Sequence, residues 1–227
     1  MASQIRSHLD RELRDIQDDL LRLGSMLNTA ISRALQSLAS RDIALARQII
    51  ADDAEINALR FHIEEKCVTV IATQQPAASD LRAIVAAMNI VSDLERMADH
   101  AAGIAKVVVK MGDEPLLKPL IDIPRMADEC RDMTTRALDA YVARDAEMAR
   151  AVAARDDIID ELYQQIFREL LTFMLEDQHT ISRALYLLFA AHNLERIGDR
   201  AVNIAERVVF LTSGEMKELN AGPLAPV

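Results

Sequence analysis

Residues 93–101 read DLERMADHA and residues 193–201 read NLERIGDRA, so the chain carries one acidic segment twice, 100 positions apart. The likeness extends well beyond those nine residues. Leu9, Leu13, Ile16, Leu20, Leu23, Leu27, Ala30 and Ala34 recur in steps of four and three, and Met126, Cys130, Met133, Ala137 and Ala140 repeat that rhythm. The pair Arg41-Asp42 that ends the first stretch returns as Arg144-Asp145, 103 positions on, so the second copy has lost three residues in an inter-helix loop. Each copy holds two further stretches on the same rhythm. Asp42 to Thr73 carries Ile49, Ile56, Ile63, Cys67 and Val70, with a short helix preceding a longer one near Asp52 allowed by the pattern, and Asp145 to Asp177 carries Val152, Ile159, Ile166, Leu170 and Phe173. Asp80 to Lys110 carries Leu81, Ile84, Met88, Val91, Ala98, Ala102, Ala105 and Val109, and Thr180 to Leu211 is its counterpart. No stretch alternates with period two. The expected fold is all-α: two pseudo-symmetric antiparallel three-helix bundles, with the first repeat at 1–111, a Pro-rich linker at 112–124, the second repeat at 125–213 and a frayed tail at 214–227.

Composition supports long helices and narrows the partners. Six Gly and six Pro in 227 residues leave few turns. A net charge of -10 and a pI near 5.0 argue against a nucleic-acid phosphate backbone and for a cation, a metal or a protein surface. Cys67 and Cys130 form no CxxC pair, are too few for a disulfide framework, and read as small core residues in a reducing compartment. No uncharged run approaches 18 residues, and the charged N-terminus is unlike a signal peptide, so a cytoplasmic location is expected. Single glycines at 24, 103, 112 and 198 build no phosphate-cradling loop, and no nucleophile and base share a spacing. Glu176-Asp-Gln-His179 is the only ExxH, where a ferritin-like oxidase needs two.

The apolar rhythm is interrupted by acid at matching places. It lands on Glu95 between Val91 and Ala98, and on Glu195 between Ala191 and Gly198. One turn on stand Asp99 and Asp199, and Asn203 and Glu206 extend the second line. In the preceding helix of each copy, Asp53 with Asn57 and Asp156 with Asp160 occupy aligned positions. Two carboxylates a turn apart repel, and drawing either into low dielectric costs several kcal/mol, roughly, unless a cation neutralises it. Oxygen ligands without Cys or a regularly spaced His suit Mg, Mn or carboxylate-bridged Fe, with Zn the borderline case. One isolated ExxxD reads first as a solvated helix face paired by neighbours such as Arg96 or Arg196. Recurrence in both copies favours metal.

At these residues the sequence resembles the PhoU family. EEKCVTVIATQQPAASDLR (64–82), DLERMADHAAGIAK (93–106), LTFMLED (171–177) and NLERIGDRAVNIAE (193–206) stand in that family's order and spacing, and the match covers essentially all of residues 8 to 211. The resemblance implies multinuclear metal sites built from E(D)xxxD motifs, mapping onto Glu95 and Asp99, Glu195 and Asp199, and Asp156 and Asp160. Asn57 in place of an acid, and Gly103 where the second repeat has Asn203, imply a first-repeat site poorer in ligands. For function the resemblance implies a negative regulator of the phosphate-starvation response. Its partners would be the ATPase of the phosphate ABC transporter and the phosphate-sensing histidine kinase. It would be a homodimer that meets the membrane only through those partners. A carboxylate-bridged metal-dependent enzyme and a metal-free helical adaptor are the rival readings.

Overall fold

The computed structural model describes residues 2–219, with side chains from Ser7 onward. Seven α-helices follow in order: α1 (Ala2–Ser40), α2 (Ile43–Gln74), α3 (Ala78–Met111), α4 (Asp122–Ala143), α5 (Ala146–Ala153), α6 (Asp156–Glu176) and α7 (Ile181–Ser213), with a 3₁₀ turn at Gln178–Thr180. No strand occurs among the described residues. Helices α1, α2 and α3 form one bundle, α4 to α7 the other, and the two meet mainly along α3 and α7 and secondarily through α1 and α4.

The Arg-Asp junctions work the same way in both halves. Arg41 and Arg144 end their helices in the left-handed region (φ 55° and 52°), and the next residue caps the following helix. Asp42 accepts from the Leu45 N–H, and Asp145 from the N–H groups of Glu147 and Met148, satisfying donors that a helix start leaves open. The apolar rhythm falls where it should: Ile16, Leu20, Leu23, Leu27 and Ile31 of α1 and Ile49, Ile56, Ile63, Cys67 and Val70 of α2 are buried.

Side-chain contacts fix the α3–α7 register. Asn203 Nδ2 donates to Asp93 Oδ1 at 3.4 Å, and the aligned pair Gly103–Asn193 is so close that a Cβ on Gly103 would lie 2.5 Å from Asn193 Oδ1. Arg200 sits 3.6 Å from Asp93, while its counterpart His100 meets Asn193 at 3.1 Å. Each contact thus has an image 100 residues away, the signature of an antiparallel pair about a pseudo-twofold axis, with Ala98 and Gly198 level with the crossing.

Four expectations need correction. The 145–177 stretch is two helices, broken at Ala154-Arg155, whereas α2 runs unbroken past Asp52. The break follows from Arg155, which grips Glu129 of α4 with two nitrogens (2.5 and 2.7 Å) and Asp132 at 3.1 Å; in the first half Asp52 takes Arg33 at 2.6 Å without leaving the helix. The linker is shorter than 112–124, because α4 begins at Asp122 and Pro124 sits in its first turn, where a missing N–H costs nothing. Leu81 is 39% exposed rather than on the seam. Of the tail, residues 214–219 lie along α7, with the Leu219 N–H donating to Glu206 at 3.0 Å; 220–227 fall outside the described residues.

Both thiols are fully buried, and Cys130 Sγ donates to the Leu194 carbonyl at 3.2 Å. Burial pushes the Cys67 thiol up to about 12 and the Cys130 thiol further still, so neither supplies thiolate at neutral pH. Native protein should therefore react with a chromogenic disulfide reagent only as fast as it unfolds, and yield two equivalents once guanidinium is added.

Candidate functional site

Helices α3 and α7 are central, so their buried arcs are broad: Leu94 and Met97 on α3, Leu194 and Ile197 on α7, all fully buried, fill the core on either side of the acidic position. Glu95 and Glu195 therefore stand at the edge of that arc rather than in its middle, with side chains 15% and 13% exposed. Each looks into the groove between its helix and the preceding one, α2 or α6. Asp99 and Asp160 are exposed, and Asp53, Asn57 and Asp199 are intermediate.

In the first half, Asp53, Glu95 and Asp99 share one field. Burial pushes the Asp53 carboxyl above its ordinary range, and the nearby Asp99 and then Glu95 add to the rise, against Lys106 and the Asn57 amide, which donates to Asp53 at 3.1 Å. Asn57 thus spends its amide hydrogens on the acid beside it. Arg60 of α2 bridges Glu95 at 3.1 Å and Glu64 at 2.9 Å. In the second half, Asp160, Glu195 and Asp199 form the corresponding triad. Asp160 is raised by burial and then by Glu195 and Asp157; Asp199 is raised by burial, held back by Arg196, and raised further by Glu195 and Asp160. Arg196 clamps Glu195 through two nitrogens, the Nε one at 2.6 Å, and reaches Asp199 at 3.0 Å; His192 lies 3.4 Å from Glu195.

Below this triad, Asp156, Asp199, Asn203, Glu206 and Glu218 line a cavity of ≈ 370 Å³ that also takes in Arg196 and Arg200. Asp156 is buried there, and Gly198 makes room for it: a Cβ on Gly198 would lie 3.2 Å from Asp156 Oδ1 and 2.6 Å from Ile159 Cδ1. Asn203 borders this cavity yet points its amide at Asp93 of the other half.

Among the described residues, no three His, Cys, Asp or Glu side chains stand in metal-ligating geometry. The donor set itself fits a hard cation. Each half places three carboxylates from two helices in one field, and in the second half Arg196, with a smaller contribution from Arg200, offsets three acids. Guanidinium clamps occupy oxygens that a cation would need, so Arg60 or Arg196 would have to release one for any cation to bind.

The spacing picks out acids that share one field in each half, and of their arginine partners it picks out Arg196, which pairs with Glu195 and Asp199, but not Arg60. Arg60 was overlooked because it lies on another helix, 35 positions from Glu95, whereas Arg96, adjacent in sequence, is exposed and bonds neither acid. Buried Asp93 was also missed; its signal was present in the repeat, where DLER aligns with NLER and marks position 93 as polar in both copies.

A family model for the PhoU domain matches residues 20–108 and again 123–208, the two halves seen in the fold. The phosphate-specific transport system accessory protein PhoU homolog of Pseudomonas putida is 37% identical over 217 residues, covering 94% of this chain and 84% of that protein. The homolog of Zymomonas mobilis is 40% identical over 214 residues, covering 94% and 90%. Among solved structures, PhoU of Streptococcus pneumoniae superposes with a TM-score of 0.86 at 34% identity over 92% of this chain and 99% of that one, and PhoU of Pseudomonas aeruginosa with 0.85 at 37% over 91% and 99%. A doubled domain match, end-to-end identity and a shared backbone agree that this chain belongs to the PhoU family.

Proposed function

We propose that this protein is an accessory protein of a phosphate-specific transport system that holds phosphate uptake and the phosphate-starvation response in check when phosphate is plentiful. The observation that carries this reading is the match to PhoU accessory proteins at 35% to 40% identity over more than nine-tenths of this chain. The site supports a binding role. It presents acids and arginines in open grooves, with no nucleophile placed beside a base. In this reading the protein works as a cytoplasmic homodimer and links the transporter's ATPase to the phosphate-sensing histidine kinase. Among the described residues no helix is long and apolar enough to cross a membrane, so membrane proximity would come through those partners.

The acidic grooves are the proposed metal centres. Glu195 and Asp199 from α7 with Asp160 and Asp156 from α6 would hold a divalent cation such as Mg, Mn, Fe or Zn, and Asp53, Glu95 and Asp99 a second, weaker one. A bound cation there would supply charge neutralisation. What the chain's own residues do is hold the carboxylates together at a groove edge, with Glu95 paired by Arg60 and Glu195 and Asp199 by Arg196 until a cation arrives. Asn57 offers one neutral oxygen where the second half has Asp160, which thins the first site.

Deleting the coding sequence in its own host tests the regulatory reading. Phosphate-uptake genes should be expressed in phosphate-rich medium at the level normally reached only on starvation, and a plasmid copy should restore repression. Normal repression in the deletion strain at high phosphate would sink it.

A further inference from the structure

The cavity beneath the second-half triad is walled by α6, α7 and Glu218, yet two of its wall residues are held from behind by the other half of the molecule. Asp93 of α3 is buried at the α3–α7 crossing and does not itself line the cavity. Its Oδ1 accepts from Asn203 Nδ2 at 3.4 Å and stands 3.6 Å from Arg200 Nη1, and both of those α7 residues do line it. Asp93 thus acts on the cavity through Asn203 and Arg200.

Each contact has a consequence inside the cavity. An ionised carboxylate only accepts hydrogen bonds, so the Asn203 side chain turns its NH2 end to Asp93 and keeps its carbonyl oxygen for the cavity it borders. That oxygen continues the line of Glu195 and Asp199 along α7 and is a ligand type that hard cations accept. Arg200 is the opposite case. It follows Asp199 directly, its charge already acts on the Asp199 carboxyl, and its Nε is buried without a hydrogen-bond partner. With no carboxylate at position 93, the acids left to that guanidinium are those of the cavity, Asp156, Asp199, Glu206 and Glu218, where it would take oxygens that a divalent cation needs.

The crossing itself does not require this arrangement, because its mirror image is built differently. There Asn193 takes the place of Asp93, His100 that of Arg200 and Gly103 that of Asn203. His100 meets Asn193 at 3.1 Å, and Gly103 has no side chain to turn. Two helices thus cross at this register without a carboxylate, a guanidinium or a second amide, and the side that carries all three is the one beside the cavity. We propose that Asp93 is a positioning residue for the second-half site, presenting the Asn203 oxygen to a cation and keeping the Arg200 guanidinium off the carboxylates. This deepens the metal reading given above and rests on it. The rival is an acid that only balances charge at the crossing, where Arg207 and Arg96 also act on its carboxyl.

The test is calorimetric titration of Mn²⁺ into the metal-stripped full chain, with Glu95→Ala and Asp99→Ala in every protein so that only the second half reports, and with metal-free melts to verify folding. Asn is what the mirror position carries, so Asp93→Asn should melt like this background, while its Mn²⁺ affinity should fall about tenfold, a usual loss when a group that orients a ligand is removed. Adding Arg200→Gln should restore the affinity to within about threefold of the background, because the guanidinium that Asp93 restrained is gone. Arg207→Gln makes the same charge change at an arginine that does not line the cavity, and should restore less than about twofold. Asn203→Ala leaves Asp93 and Arg200 in place and should by itself cost about tenfold, so the proposal stays testable even if Asp93→Asn fails to fold. Unchanged affinity in Asp93→Asn or in Asn203→Ala overturns the proposal and leaves the metal centre standing. Equal recovery by Arg207→Gln, or none by Arg200→Gln, reduces Asp93 to a charge-balancing acid and also overturns it. A background protein that takes up no Mn²⁺ overturns the metal reading for this half, and this proposal with it.

Discussion

The double variant Glu195→Ala, Asp199→Ala should lose most of the metal that the parent retains when purified without chelator, and most of the rise in Tm that divalent cation gives the parent. A ligand that binds only the folded state contributes RT ln(1 + [L]/Kd), about 2.7 kcal/mol at a hundred times Kd. In a chain of this size that is roughly 5–10 °C. Removing two of the four proposed carboxylates leaves only Asp156 and Asp160 on α6, one buried and one exposed, too few oxygen ligands to hold a divalent cation tightly. The alternative is specific, since Arg196 already pairs with both acids. If that is their whole role, the change removes partly exposed ion pairs worth about 0 to 1 kcal/mol each, and cation shifts neither protein. The matched variant Glu95→Ala, Asp99→Ala should cost less metal, because Asn57 already stands in place of an acid on that side. Equal metal content in all three proteins, with no cation-dependent shift in Tm, would leave the grooves as arginine-paired surfaces and the adaptor as the surviving reading.

The repeat made the architecture legible because a four-three rhythm is a local property: it says which edge of a helix is apolar, and two copies say that the edge is used the same way twice. What it could not convey is where a neighbouring helix reaches across. The break at Ala154-Arg155 depends on Glu129 and Asp132 of α4 lying in front of Arg155. In the aligned place of the first half the charges are reversed, Arg33 on α1 and Asp52 on α2, and the helix continues. Glu95 and Glu195 seemed to interrupt the core because the rhythm was followed as a narrow seam. Helices α3 and α7 are each covered from several sides, so their buried arc is wider and the acids stand at its rim.

The second large effect follows from that central position. Leu194→Ala should destabilise the protein by about 2–5 kcal/mol, lowering Tm by roughly 10 °C, because it empties a fully buried site between α7 and the helices around it. Leu194 is hemmed in on a backbone whose own carbonyl accepts the Cys130 thiol, so little nearby can move in to fill the space. Leu94, its image in the first half and equally buried, should respond alike. The register that joins 93 to 203 and 103 to 193 sets these two leucines on opposite sides of the crossing, so their losses should add to within about 0.5 kcal/mol in the double variant. Leu185→Ala, at 37% exposure on the same helix, should cost under about 1 kcal/mol in the monomer. Thermal and guanidinium unfolding of the four variants decide the matter. Comparable losses at Leu185 and Leu194 would mean that the α7 core does not lie where the fold puts it, and a strongly non-additive Leu94, Leu194 pair would mean that the two halves do not cross at Ala98 and Gly198.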